Sequence, residues 1–157
     1  MNKIIKSVII FFLLSTITLQ TACRKDDICT LGGTPNLGIG FFDSTAPDDI
    51  KTVTDFYLIA LPDNDTVYKA VSADSIKVPL NVNDNQCRFI FTKDTNNDTL
   101  LFSYGREPVF VSKACGYKTV FHQLQIDLIQ DNNLWIKQIE ILQTDITIDT
   151  INVKIYH

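Results

Sequence analysis

The chain has 157 residues, room for one domain, and a formal net charge of −4 from 14 basic and 18 acidic residues. With no basic run to offset those acids, a nucleic-acid partner is excluded as a working reading. Sixteen of the acids are aspartate and only two are glutamate, and aspartate forms turns and caps where glutamate favours helices, so a helix-rich fold is disfavoured as well.

The first stretch reads as an export signal. Lys3 and Lys6 form a basic start, Val8 to Leu14 is a nearly unbroken apolar run, and polar or small residues follow as far as Cys23. Ser15, Thr16, Thr18 and Gln20 cut the run short of the roughly 20 apolar residues a membrane-spanning helix needs. Cleavage before Cys23 would put Ala22 at minus one but Gln20 at minus three, a poor fit to ordinary signal peptidase. Leu19-Gln20-Thr21-Ala22-Cys23 resembles instead a bacterial lipobox, with Gln20 where leucine is usual. The resemblance implies removal of residues 1–22 and lipid on the sulfur and amine of Cys23. Losing Lys3 and Lys6 and no acid takes the net charge from −4 to −6.

Residues 23–35, poor in apolar side chains and holding Gly32, Gly33 and Pro35, read as a linker, leaving 36–157 as the folded domain. From there the period is two, that of strands. Leu37, Ile39 and Phe41 share a face, and Gly38 and Gly40 on the other allow a close backbone approach or a bulge. Val53 to Leu61, apolar on both faces, reads as a central strand. Ile76, Val78 and Leu80 mark the next, then Cys87 to Thr92, then Leu100, Phe102 and Tyr104, then Val109 and Val111 on a separate one. Val120 to Gln130 alternates Leu124, Ile126 and Leu128 with Gln123, Gln125 and Asp127, and the same phase sends His122 inward. Leu134–Leu142 and Ile146–Tyr156 finish the chain, the latter needing a bulge at Asp149-Thr150 to repair its phase. Turn chemistry recurs at Pro62–Asp65, Asn81–Asn85, Thr95–Asp98 and Asp131–Asn133. Eight or nine short strands without helical crossovers predict an all-β, antiparallel β-sandwich of immunoglobulin-like architecture.

With Cys23 assigned to lipid, three thiols remain in an oxidising compartment, enough for one bridge and one leftover. Cys87 shares a strand face with Phe89 and Phe91 and is expected to be a buried free thiol. Cys29 and Cys115 sit in loops that could meet and are the expected pair, although spacing alone does not fix connectivity. No C-x-x-C pair occurs, and the two histidines, His122 and His157, lie far from the cysteines, so a zinc site is disfavoured.

Candidate chemistry is sparse. Asp94, Asn96 and Asp98 match the first half of an EF-type calcium loop, but Thr99 and Gly105 stand where its glycine and bidentate glutamate belong, so this is a weak calcium candidate beside the plainer reading of a hairpin turn. Four Asp-Ser/Thr-apolar steps place Thr66, Ser75, Thr99 and Thr150 after an aspartate, which is how strands begin after turns. The same steps resemble the O-glycosylation acceptor motif of exported proteins in the Bacteroidota. Tyr57, Tyr68, Tyr104, Tyr117 and Trp135 could line a glycan-binding face only if an exposed coplanar pair existed, core packing being their default. No G-x-S-x-G is present, and a hydrolase built on His122 and nearby aspartates ranks last. No catalytic residue, cofactor or dedicated metal site is expected.

Two stretches carry a wider likeness. Cys23-Arg24-Lys25-Asp26-Asp27-Ile28-Cys29 is one, and the other comprises Ser112-Lys113-Ala114-Cys115-Gly116-Tyr117-Lys118, Trp135–Glu140 and the terminal Val153-Lys154-Ile155-Tyr156-His157. Together they resemble an uncharacterised lipoprotein family of Bacteroidota, a domain of unknown function. The resemblance implies an envelope location and pairing of Cys29 with Cys115. Arg24-Lys25-Asp26-Asp27 also resembles the acidic tract that directs lipoproteins of these bacteria to the cell surface.

These readings converge on a non-enzymatic, monomeric domain held by Cys23 on the outer membrane, facing the cell surface, as an accessory or interaction protein beside a membrane β-barrel or another envelope protein. The alternative is a surface module that binds glycan or calcium.

Overall fold

The computed structural model describes residues 28–129 and 134–157. The export segment, Cys23, the acidic tract and the expected turn at 131–133 lie outside them. The described residues hold nine strands and no helix: β1 (Leu37–Phe42), β2 (Val53–Leu61), β3 (Asp65–Ala73), β4 (Ser75–Val78), β5 (Gln86–Lys93), β6 (Asn96–Ser112), β7 (Gly116–Ile129), β8 (Gln138–Ile141) and β9 (Thr150–Tyr156). They form two sheets, ordered β4-β1-β9-β8 and β3-β2-β5-β6-β7, packed as a sandwich. The architecture is the one expected from the alternation. The connectivity is particular to this chain, because β1 lies between β4 and β9 and runs parallel to β9, while every other pairing is antiparallel.

The core follows from the period. Leu37, Ile39 and Phe41 of β1 are fully buried and face Phe56, Leu58, Phe91 and Phe102 of the other sheet, and the Phe41 and Phe56 rings meet edge-on at 5.6 Å. Gly38 allows the close β1/β9 approach. A Cβ there would collide with the Thr150 carbonyl, and the ladder shifts register between Gly38 and Ile39. The extra residue is Asn152, so the bulge in β9 falls two residues after the expected Asp149-Thr150. Asn152 is buried, and its Oδ1 accepts the Gly38 N–H at 3.4 Å.

Several boundaries differ from expectation. β3 was not anticipated: it is an edge strand with no fully buried residue, and Ala70 at φ 50° interrupts its alternation. The two strands expected around Phe102 and Val109 are one, the 17-residue β6. Pro108 does not break it, because it pairs with Thr119, whose N–H points away from β6 to Thr34 Oγ1 at 3.0 Å. Such a pair exchanges no backbone hydrogen bond, so the missing proline N–H costs nothing there. Of Leu134–Leu142 only Gln138–Ile141 is strand. Trp135 and Ile136 instead plug one end of the sandwich, with Trp135 Nε1 donating to the Phe91 carbonyl at 3.0 Å. The linker also ends sooner than expected, since Thr34 is bonded to β7 and Pro35 is buried.

Candidate functional site

β5 begins opposite Ser103 of β6. Beyond that point β6 and β7 have no strand partner but each other, and Arg106–Ser112 with Gly116–Phe121 form a two-stranded ribbon about 20 Å long. A free hairpin of this size is marginal in water, and this one is braced. At its base Arg106 donates from Nε to Asn85 Oδ1 and from Nη1 to the Val82 carbonyl, both at 2.6 Å. On its open edge Phe121 bridges to Ile146, and Thr119 takes the Thr34 contact. At its tip, Gly116 adopts φ +69°, a conformation suited to glycine, and the Cys115 N–H donates to Ser112 Oγ.

The tip is where Cys115 is disulfide-bonded to Cys29, with Cα atoms 4.8 Å apart. Among the described residues Cys87 is the free cysteine, half-buried beside Tyr104. Burial pushes its thiol up, which keeps it protonated and unreactive. The Tyr104 hydroxyl both accepts the Asn81 N–H and donates to the Asn81 carbonyl.

Near the tip Phe110 pairs across the ribbon with Tyr117, ring centroids 5.4 Å apart and planes at 66°. Both rings are solvent-exposed, by 55% and 71%. By strand period they lie on the side that carries Phe121 into the core, so the inner face of the sheet runs on into solvent. This exposed aromatic pair is edge-to-face rather than coplanar and gives no flat platform for a sugar ring. Tyr57 and Tyr68 are half-buried, and Tyr104 and Trp135 are buried.

His122 does not face inward. Ser103 pairs with Gln125 and Gly105 with His122, so β7 carries one extra residue, and Gln123 takes φ 55°. This bulge separates the inward Phe121 and Leu124 by three residues and turns His122 outward. There Nε2 lies 3.1 Å from Glu107 Oε2 and Nδ1 3.3 Å from Asp145 Oδ1. Both carboxylates are more than 60% exposed, on an open strand surface.

The calcium candidate is dismantled by the same alternation. Asp94 and Thr95 form a two-residue turn, with Asp94 at φ 54°. Asn96 and Asp98 belong to β6, and Asp98 is fully buried, its Oδ2 accepting the Ile136 N–H at 2.7 Å. The three residues therefore do not converge, and no group of His, Cys, Asp or Glu among the described residues is placed to hold a metal. Of the four candidate acceptors, Thr66, Ser75 and Thr150 are exposed where β3, β4 and β9 begin, whereas Thr99 is half-buried in an interior strand between Ile90 and Ile129.

A cleft of about 460 Å³ lies between β4 and the start of β9. It is crossed by the Lys77–Asp149 ion pair at 2.8 Å, and its Tyr68 hydroxyl is taken by the backbone of Lys77. The charges and hydroxyl that would recognise a ligand there are thus engaged with each other. The ribbon tip offers a different kind of surface, an exposed apolar one around Phe110 and Tyr117.

No curated protein and no solved structure matches the chain. A family model, described as a family of unknown function (DUF6452), matches residues 52–157 and so spans β2 to the last residue. The chain belongs to that family of unknown function.

Proposed function

We propose that this is a lipid-anchored envelope protein of the Bacteroidota type, processed to Cys23 and held through it on the outer membrane, facing the cell surface. It acts there as a non-catalytic accessory to another envelope protein, such as a membrane β-barrel. One observation carries the reading: the disulfide joins Cys29, six residues past Cys23, to the tip of the ribbon. A sandwich tied this way holds a fixed end toward whatever Cys23 is attached to. The dispersed polar groups favour an interaction role over catalysis, because His122 and its carboxylates lie open to solvent with no nucleophile among their bonded partners.

The test has two parts. Cells fed an alkyne fatty acid should label the native protein and fail to label Cys23→Ala. Crosslinking in intact membranes, followed by capture, should then yield a discrete membrane-protein partner. Unlabelled native protein would end the anchored reading, and a labelled protein that crosslinks to nothing would end the accessory one.

A further inference from the structure

We infer that the ribbon tip is the face this protein sets against a lipid bilayer, with Phe110 and Tyr117 seated at headgroup level. The inference rests on the anchored reading above and extends it by assigning the surface and side chains that meet lipid.

Three observations lead there. First, four of the ten large apolar side chains exposed among the described residues gather at this end: Ile28, Leu31, Phe110 and Tyr117, exposed by 81, 55, 55 and 71%. Ile28 and Leu31 lie within two residues of Cys29, Tyr117 lies two residues from Cys115, and Phe110 packs on Tyr117. Exposed apolar clusters of this kind mark contact surfaces.

Second, the covalent path is short. Six residues from Cys23 to Cys29 span at most about 20 Å when fully extended, so the disulfide holds the tip within that distance of the lipidated position. Ile50, His157 and the Asp94-Thr95 turn lie at the opposite end of the strands, where β1 and β5 finish. The tip is accordingly the end of the sandwich nearest the bilayer.

Third, the local charge differs from that of the whole. The chain carries 18 acids, yet residues 108–119 contain Lys113 and Lys118 and no acid. Arg24, Lys25, Asp26 and Asp27 in the preceding segment cancel. An acidic body repels anionic headgroups, and Lys113 and Lys118 make this end the part they attract, since Asp149 in the cleft beside Lys118 is already paired with Lys77. Tyrosine, with an apolar ring and a polar hydroxyl, suits the interface between headgroups and acyl chains.

The experiment places a fluorescent probe at the tip of the full lipidated protein. Phe110→Trp is made at an exposed position, and the protein is reconstituted into phosphatidylethanolamine/phosphatidylglycerol vesicles whose acyl chains are brominated near the headgroup. Trp135, buried in the core at the far end, stays as the internal reference, and Ile50→Trp reports on the opposite pole. The Phe110→Trp protein should lose roughly half of its added emission and shift to the blue, as expected for a ring seated in the interface. Native and Ile50→Trp proteins should change little. If protein that floats with the vesicles shows no quenching at position 110, or equal quenching at 50 and 110, the seated tip is wrong while the anchor stands. Protein that fails to float overturns the anchored reading and this inference with it.

Discussion

Cys29 and Cys115 stand 86 residues apart in sequence and 4.8 Å apart between Cα atoms. The bond fastens the start of the described chain to a ribbon that otherwise has one strand partner, so it is both a stability element and a positioning element.

Loop closure of that length contributes about 4 to 5 kcal/mol through the unfolded state. Cys115→Ser should lower unfolding free energy by that order in urea, and reductant should do the same to the native protein. Reductant should leave Cys115→Ser itself unmoved. A native protein whose urea midpoint ignores reductant would show that the bond does not constrain the unfolded chain. Cys87, with its thiol pushed up by burial, should alkylate slowly when folded and readily in denaturant.

Asp98 is an acceptor for the Ile136 N–H and no part of a calcium loop. Asp98→Ala should cost about 2 to 3 kcal/mol, the penalty for stranding a buried donor. Millimolar calcium should leave the melting temperature of the native protein where it is. A calcium-dependent rise that Asp94→Ala abolishes would restore the ligand role.

Glycine substitutions should separate by surroundings. Gly38→Ala meets the Thr150 carbonyl and should cost more than about 3 kcal/mol, a backbone clash in the core. Gly116→Ala, strained at φ +69° but with open space around it, should cost about 1 kcal/mol. Gly33→Ala, unobstructed and at ordinary φ, should be neutral. Thermal melts of the three variants would expose a wrong ranking directly.

Acid should weaken the fold in two windows. His157, held below its ordinary 6.5 by burial against the Phe41 and Trp135 rings and by the nearby Lys93 and Lys51, is favoured neutral in the folded state. Its contribution is complete above pH 6.5 and is lost as pH falls through the lowered folded value. Asp43, bonded by the N–H and hydroxyl of Thr45 and by Lys51, is held below its ordinary 3.8. Its contribution is present above that value and is lost below it. Denaturant midpoints measured from pH 8 to pH 2 should fall in both ranges, with Asp43→Asn flattening only the lower one.

The β-sandwich was legible because period-two alternation holds wherever a strand has one buried face, as in β4, β5 and most of β6. It failed at bulges. One extra residue at Gln123 reversed the side on which His122 emerges, and Asn152 displaced the expected repair in β9. β3 escaped notice because an edge strand buries little and so carries little pattern. Asp98 read as a ligand because its Asx-rich neighbours look like a loop, whereas the hairpin turns at Asp94-Thr95 and leaves Asp98 two ladder steps inside the sheet. The ribbon tip had only one sequence signal, a cysteine and glycine between two apolar runs, and that signal identifies the turn without revealing that Phe110 and Tyr117 stay uncovered.

The central claim is that lipid at Cys23 and the bond at Cys29 place one end of the sandwich at the membrane. It is tested most directly by mass spectrometry of protein taken from membranes and cleaved after aromatic residues without reduction. The account predicts one species in which a peptide beginning at acylated Cys23 is disulfide-linked to the 111–117 peptide, and which reduction splits in two. An unmodified residue at the mature start, or Cys23 itself in the disulfide, would contradict it.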